Sequence, residues 1–316
     1  MNKEEFNKLY ETLKKSKFKQ QKFPAWRPLP TISCITIIFI STGIVFIIIG
    51  ILILIFTGQI KEFKFRYDIQ CFPTSNNKIC TIPLTIPEKM KKPIMIYYQL
   101  NDFSQNHRYY MDAKSDKQFK GEEVSKEDLE KSGQCENALY NEEIGNYAQY
   151  NSDLNGKGKD IAFPCGEMAK SFFRDRIISC KLSGTGKEIN ITTEEIAYKS
   201  DRDSFSKVEM KNNHWIDIND EQFMIWMRIS PFKDPRKLWG KIENDDISAD
   251  SKLMVTIENN KYQNFEKYII LSTRNVFGGK NSFLGICYVV FGGICLLSAV
   301  IFINPLYLIF SQFLVI

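Results

Sequence analysis

The chain has 316 residues, 44% of them hydrophobic, with 42 Lys and Arg against 37 Asp and Glu and only two histidines. A net charge of +5 over this length excludes the broad basic surface of a nucleic-acid binder. Two histidines exclude a metal cage or relay built from several imidazoles.

The first 27 residues hold eight basic side chains (Lys3, Lys8, Lys14, Lys15, Lys17, Lys19, Lys22, Arg27) and three acidic ones (Glu4, Glu5, Glu11). That surplus equals the net charge of the whole protein, so everything after it is formally neutral. Residues 1–30 read as a basic tail. Residues 31–56 follow as an isoleucine-rich, charge-free run broken only by small or weakly polar residues. A helix needs roughly 20 apolar residues to cross about 30 Å of hydrocarbon, so this run predicts a transmembrane helix. A charged tail of thirty residues precedes it and it outruns an h-region of roughly 7 to 15 residues, which excludes a cleavable signal peptide and predicts a signal anchor.

A second charge-free stretch runs from Asn281 to Ile316. It predicts a transmembrane helix over 282–303, ended or kinked at Asn304-Pro305, and a hydrophobic tail over 304–316 too short to cross again. The basic residues concentrate before the first span, and the positive-inside rule then places both termini in the cytosol. Residues 57–281 form a lumenal or extracellular domain, on an integral multi-pass protein of the endoplasmic reticulum, the Golgi and endosomes or the plasma membrane.

That domain is long enough for a core of its own. Period-2 alternation predicts strands over 61–69, 94–100, 222–229, 253–258 and 267–273. One helix is expected over 167–178, where Met168, Phe172, Phe173 and Ile177 share a face. Residues 122–160 are polar and rich in Gly, Asn, Lys and Glu, which predicts an extended surface excursion. The fold class expected is a two-pass α-helical membrane protein with a large β-rich, antiparallel, α+β exoplasmic domain.

Cys34, Cys287 and Cys295 lie in the spans, leaving Cys71, Cys80, Cys135, Cys165 and Cys180 in an oxidising compartment. Five is odd, so at least one stays free or pairs between chains. Cys71 and Cys80 bracket the turn-rich residues 72–77, which suits a short bridged loop. Without a CxxC pair, zinc is a poor alternative. Asn190-Ile191-Thr192 is a glycosylation sequon made usable by the exoplasmic placement.

The catalytic inventory is thin: no GxSxG, P-loop, HExxH or GxGxxG occurs. His107 is expected in a structural hydrogen bond and His214 at the surface or a cap. Asp217 to Glu221 and Asp245-Asp246 lack the spacing of an EF-hand loop and read as solvated turn carboxylates. No catalytic residue, metal site or cofactor is expected. The spans carry no ionisable residue, so they conduct nothing themselves. Gly43, Gly50, Gly285, Gly292 and Gly293 offer places for a second helix to approach.

The segments flanking the spans are distinctive. Phe18 to Pro28 contains Phe23, Pro24 and Trp26 ahead of the first span, and Ile270 to Asn281 contains the turn-forming pair Gly278-Gly279 ahead of the second. In these segments, in Tyr97 to Phe103 with Gln105 to Tyr109, in Pro164-Cys165-Gly166 with Ala169, Ser171, Phe173 and Asp175, in Ile196-Ala197-Tyr198 and in Phe223 to Arg228, the chain resembles the ligand-effect-modulator-3 family, also called the cell division control protein 50 family. The resemblance runs through most of the chain. It implies a noncatalytic β-subunit that forms a heterodimer with a type IV P-type ATPase and works on membrane phospholipids. Such a subunit assists exit from the endoplasmic reticulum, stability and phospholipid translocation, while ATP hydrolysis, Mg²⁺ and the lipid path belong to the partner. It further implies a Cys71–Cys80 disulfide and a Cys135–Cys165 disulfide, and makes Phe23, Pro24, Trp26, Gly278 and Gly279 partner contacts. A competing class is a two-pass ligand-gated channel subunit with a disulfide-bonded ectodomain, which would self-associate around a polar helix stripe.

Overall fold

The computed structural model describes residues 3–21, 31–71, 79–122, 124–135, 137–145, 151–205, 213–260, 265–275 and 278–304. The helices in chain order are α1 (Lys3–Lys15), α2 (Ile32–Gly58), α3 (Arg108–Asp112), α4 (Asp116–Phe119), α5 (Lys126–Ser132), α6 (Asn141–Ile144), α7 (Glu167–Lys170), α8 (Lys199–Phe205), α9 (Glu221–Met227) and α10 (Phe283–Ile303). The strands are β1 (Glu62–Arg66), β2 (Ile79–Ile86), β3 (Ile94–Leu100), β4 (Arg176–Leu182), β5 (Arg236–Ile242), β6 (Ser251–Glu258) and β7 (Lys267–Thr273). The chain divides into two compact units, 1–54 with 283–316, and 55–282.

In the first unit α2 and α10 are long and apolar enough to cross a bilayer. At 27 and 21 residues they exceed the roughly 20 required. In the second unit every strand pairs antiparallel, in a four-stranded sheet of order β1-β7-β3-β5 and a three-stranded sheet of order β2-β6-β4. Inward residues of both sheets, among them Ile82, Leu84, Ile94, Ile96, Val255, Ile257, Ile269 and Leu271, share one apolar cluster. A second cluster gathers the helices and loops around Trp215, Phe223, Trp226, Met168 and Leu129.

The strand expected over 222–229 is helix α9. Phe223 to Met227 is a continuous apolar run, which cannot separate a buried strand from a buried helix. The ends decide it. Asp220 Oδ1 accepts from the Gln222 amide at 2.9 Å at one end, and Lys237 Nζ donates to the Ile225 and Arg228 carbonyls at the other. Burial, with Arg228 close by, brings the Lys237 ammonium down to about 8.

The helix expected over 167–178 stops at Lys170, and Ile177 and Ile178 belong to β4, whose partner β6 takes up its backbone groups. Besides β4, two strands absent from the expectation, β2 and β5, carry Pro83 and Gly240, residues that ordinarily argue against strand. Pro83 is tolerated because β2 is an edge strand paired only with β6. The described residues of the excursion over 122–160 are also more regular than expected. They contain α5 and α6, and send Leu129, Ala138, Ile144 and Leu154 into the second cluster.

Candidate functional site

The place where the chain enters and leaves the sheet domain is built by β1 and β7. Their pairing sets Glu62 opposite Ser272 and Phe63 opposite Leu271. It is closed by the Lys61 amide donating to Thr273 Oγ1 at 2.9 Å and the Thr273 amide donating to the Lys61 carbonyl at 2.9 Å. Beyond the strands, Asn275 Nδ2 donates to the Phe56 carbonyl at 2.8 Å and Thr57 Oγ1 reaches the Asn281 carbonyl at 3.5 Å. The two chain ends of the domain are therefore stapled together by side chains as well as by a sheet ladder.

Of the two turn glycines, Gly278 is required by geometry. Its φ is +103°, and its amide and carbonyl bond Asn275 at 3.0 and 3.1 Å, a conformation that costs L side chains. Gly279 has open space around it. Phe23, Pro24 and Trp26 lie outside the described residues, as do 72–77 and the tail from Pro305.

Within the first unit the glycines are already in use. A methyl on Gly43 would sit 3.0 Å from the Gly292 carbonyl oxygen, and one on Gly50 would sit 2.9 Å from that of Gly285. Each reciprocal substitution meets the same partner, at 2.8 Å for Gly292 and 3.2 Å for Gly285. The glycines are seven positions apart on both helices, so α2 and α10 meet along one seam, with Phe46 edge-on to Tyr288 and tilted against Phe291 beside it. Gly293 has no atom near its missing Cβ and faces away from the seam. The span glycines, expected as approach points for a second helix, thus serve mainly the chain's own second span.

A buried ion pair holds the sheet domain together behind its first strand. Lys267 Nζ donates to Asp175 Oδ2 at 2.8 Å, to Asn259 Oδ1 at 2.7 Å and to the Asn260 carbonyl at 2.8 Å. The carboxylate also accepts from Tyr67 Oη at 2.7 Å and the Asn260 amide at 2.8 Å. Both charged side chains are 3% exposed. Burial pushes the Asp175 carboxyl up and the Lys267 ammonium down, and the contact between them opposes both shifts. Asn259 Nδ2 donates to the Cys71 carbonyl, which ties the first disulfide to this network. Lys267 shares the inward face of β7 with Ile269 and Leu271 by period 2. A lysine at that parity is the sequence signal that an anion is buried nearby.

The segment Pro164 to Asp175 runs through the second cluster under three indoles. Trp215 Nε1 donates to the Pro164 carbonyl at 2.6 Å, Trp226 Nε1 to that of Met168 at 2.8 Å and Trp239 Nε1 to that of Asp175 at 3.3 Å. Cys165 is bonded to Cys135, and Cys71 to Cys80. Cys180 is a buried free thiol raised to about 11 by burial, which makes it inert. Asn190 is exposed.

The remaining candidates are structural. His214, expected at the surface, is buried and stacks on Phe163 with ring centroids 4.0 Å apart. His107 is exposed, and its carbonyl rather than its ring receives the Met111 amide. Glu221 accepts the Glu195, Ile196 and Ala197 amides at 2.8, 2.7 and 2.6 Å. Asp245 pairs with Lys187, and Asp246 accepts the Lys92 amide. Among the described residues no three His, Cys, Asp or Glu side chains are grouped to hold a metal.

A pair of glycine-seamed spans and a disulfide-bonded antiparallel domain, with the domain's two chain ends stapled, define a two-pass membrane protein with a large folded domain between its spans. The chain matches the LEM3 (ligand-effect modulator 3) family, or CDC50 family, over residues 53–310, and it belongs to that family. It is similar to ALA-interacting subunit 3 of Arabidopsis thaliana, 31% identical over 92% of this chain and 84% of the relative. It is similar also to cell cycle control protein 50A of Mus musculus, 29% identical over 90% and 86%. The phospholipid-transporting ATPase accessory subunit CRF1 of Saccharomyces cerevisiae is 24% identical over 90% and 83%.

Proposed function

We propose that this chain is the noncatalytic β-subunit of a P-type phospholipid-transporting ATPase. In this role it forms a heterodimer with the α-subunit, supports its exit from the endoplasmic reticulum and its stability, and enables phospholipid translocation. The observation that carries the reading is the family match over 53–310, extended by relatives covered along more than four fifths of their length. The Saccharomyces cerevisiae relative CRF1 is named as a phospholipid-transporting ATPase accessory subunit. Membership in the family argues against the channel alternative.

The subunit does no chemistry of its own. A ligand that prefers one conformation shifts an equilibrium by no more than its difference in affinity, and the β-subunit acts on the ATPase in that way. Both termini lie in the cytosol, which accords with the eight basic residues before α2. The sheet domain lies on the exoplasmic side, where two disulfides persist and the exposed Asn190 carries a glycan. Partner contacts fall at Phe23, Pro24, Trp26 and the Gly278-Gly279 turn, and on faces of α2 and α10 away from their common seam.

The test is depletion of the chain in cells. The cognate ATPase is expected to accumulate in the endoplasmic reticulum, with uptake of labelled phospholipid falling in proportion. Unchanged ATPase delivery and lipid uptake would overturn the proposal.

A further inference from the structure

The β-subunit reading makes no use of α1, the 13-residue helix at the start of the chain. Phe6, Leu9, Tyr10 and Leu13 follow the i, i+3, i+4, i+7 pattern that lines one face of a helix. Phe6, Leu9 and Tyr10 are 54%, 48% and 55% exposed. A hydrogen-bonded turn over 16–21 continues the apolar surface with Phe18, 73% exposed between Lys17 and Lys19. By helical register Lys3 and Lys14 border the stripe on one side and Glu5 on the other, with Glu4, Lys8, Glu11 and Lys15 opposite. The Lys14 ammonium lies 6.0 Å from the Tyr10 ring centroid, so its stem runs along the apolar face with the charge at its edge.

We propose that α1 is a membrane-surface helix that seats its Phe6-Leu9-Tyr10-Leu13 face in the leaflet where α2 begins, and that it selects anionic phospholipid. Two observations choose this occupant over a protein groove. Only 16 residues separate Lys15 from Ile32, so the stripe is held within reach of the bilayer whatever else is bound, at the high local concentration that a short tether enforces. Residues 1–27, which include α1 and continue with Lys17, Lys19, Lys22 and Arg27 toward the span, carry a surplus of +5 equal to the net charge of the protein, and basic residues beside an apolar helix face are what anionic headgroups attract. The inference stands independently of the β-subunit reading, since it needs only the helix, its charge and a neighbouring span.

The experiment places the full-length chain in nanodiscs of phosphatidylcholine alone or of phosphatidylcholine with 30% phosphatidylserine, roughly the charge of a cytoplasmic leaflet. Amide hydrogen exchange is read over residues 3–15. About tenfold slower exchange is expected with phosphatidylserine, reversed by high salt and absent in Phe6→Ser/Leu9→Ser. Because those serines can weaken the helix itself, Lys3→Gln/Lys14→Gln serves as a second variant. It leaves the apolar stripe intact and is expected to lose most of the lipid selectivity. Equal exchange in the two lipids overturns the proposal. Protection that needs added ATPase in either lipid overturns it by assigning the face to a protein, and protection that needs two chains per disc overturns it by assigning the face to a second copy.

Discussion

Gly50 of α2 and Gly285 of α10 meet backbone to backbone, each so close to the other's carbonyl oxygen that a single methyl on either would intrude to 2.9 or 3.2 Å. Gly43 and Gly292 repeat the arrangement two turns away. In a bilayer, where lipid tails are as apolar as side chains, such close approach is the main source of helix association. Gly50→Leu or Gly285→Leu should part the spans at a cost of about 1–3 kcal/mol. The change is expected as a lower melting temperature in detergent. Gly293→Leu, in open space, should leave that temperature unchanged and lower recovery of the partner only if a partner helix docks there.

The Asp175–Lys267 pair should behave as a structural clamp. Lys267→Met leaves a carboxylate buried without its cation and is expected to cost about 3–5 kcal/mol. Replacing both residues with apolar ones of similar size should cost clearly less than the sum of the single changes. A double-mutant cycle in thermal unfolding measures this, and additive costs would show that the two do not act as a pair.

Glu221 supplies an acid-sensitive contribution. Burial alone would raise its carboxyl, but the three amides of 195–197 and Arg202 outweigh burial and hold it below the ordinary value of 4.5. A carboxyl depressed in the folded state binds fewer protons there than when unfolded. Its stabilisation is therefore complete above about pH 4.5 and lost as pH falls through the folded value. Glu221→Gln should reduce stability at neutral pH by about 1–3 kcal/mol and flatten the acid limb of a pH–stability curve.

The two disulfides should differ in worth. They close loops with sequence separations of 30 for Cys135–Cys165 and 9 for Cys71–Cys80. Chain-entropy arguments give about 3.5 and about 2.5 kcal/mol respectively. Serine replacements at each pair, compared by denaturant midpoint, should rank in that order.

Much of this architecture was legible in the residues because the bilayer imposes a simple demand. A charge-free run of the right length has few other uses, and both spans followed from it. Strands β1, β3, β6 and β7 were legible through the alternation of apolar and polar residues over 61–69, 94–100, 253–258 and 267–273. Helix α9 was not, since Phe223 to Met227 is apolar at every position and the alternation read over 222–229 did not separate a strand from a buried helix. Edge strand β2 was hidden by Pro83, which only its place in the sheet excuses. The segments around Phe23 and Gly278 stood out by their Pro, Trp and Gly content, but the partner role proposed for them rests on family resemblance, since no residue type in them names a partner. The Asp175–Lys267 clamp joins residues 92 apart in sequence, and only Lys267's place among inward apolar neighbours hinted at it. The seam of α2 and α10 was half legible. The glycines were evident, but which helix they met was a matter of register.

The central claim is that this chain is one half of a phospholipid-transporting ATPase, and affinity purification of the full-length protein from its native membrane tests it most directly. The account predicts a P-type ATPase recovered in one-to-one ratio, with recovery falling when Trp26 or the Gly278-Gly279 pair is replaced. Recovery of the chain only as a homo-oligomer, with no ATPase bound, would contradict it.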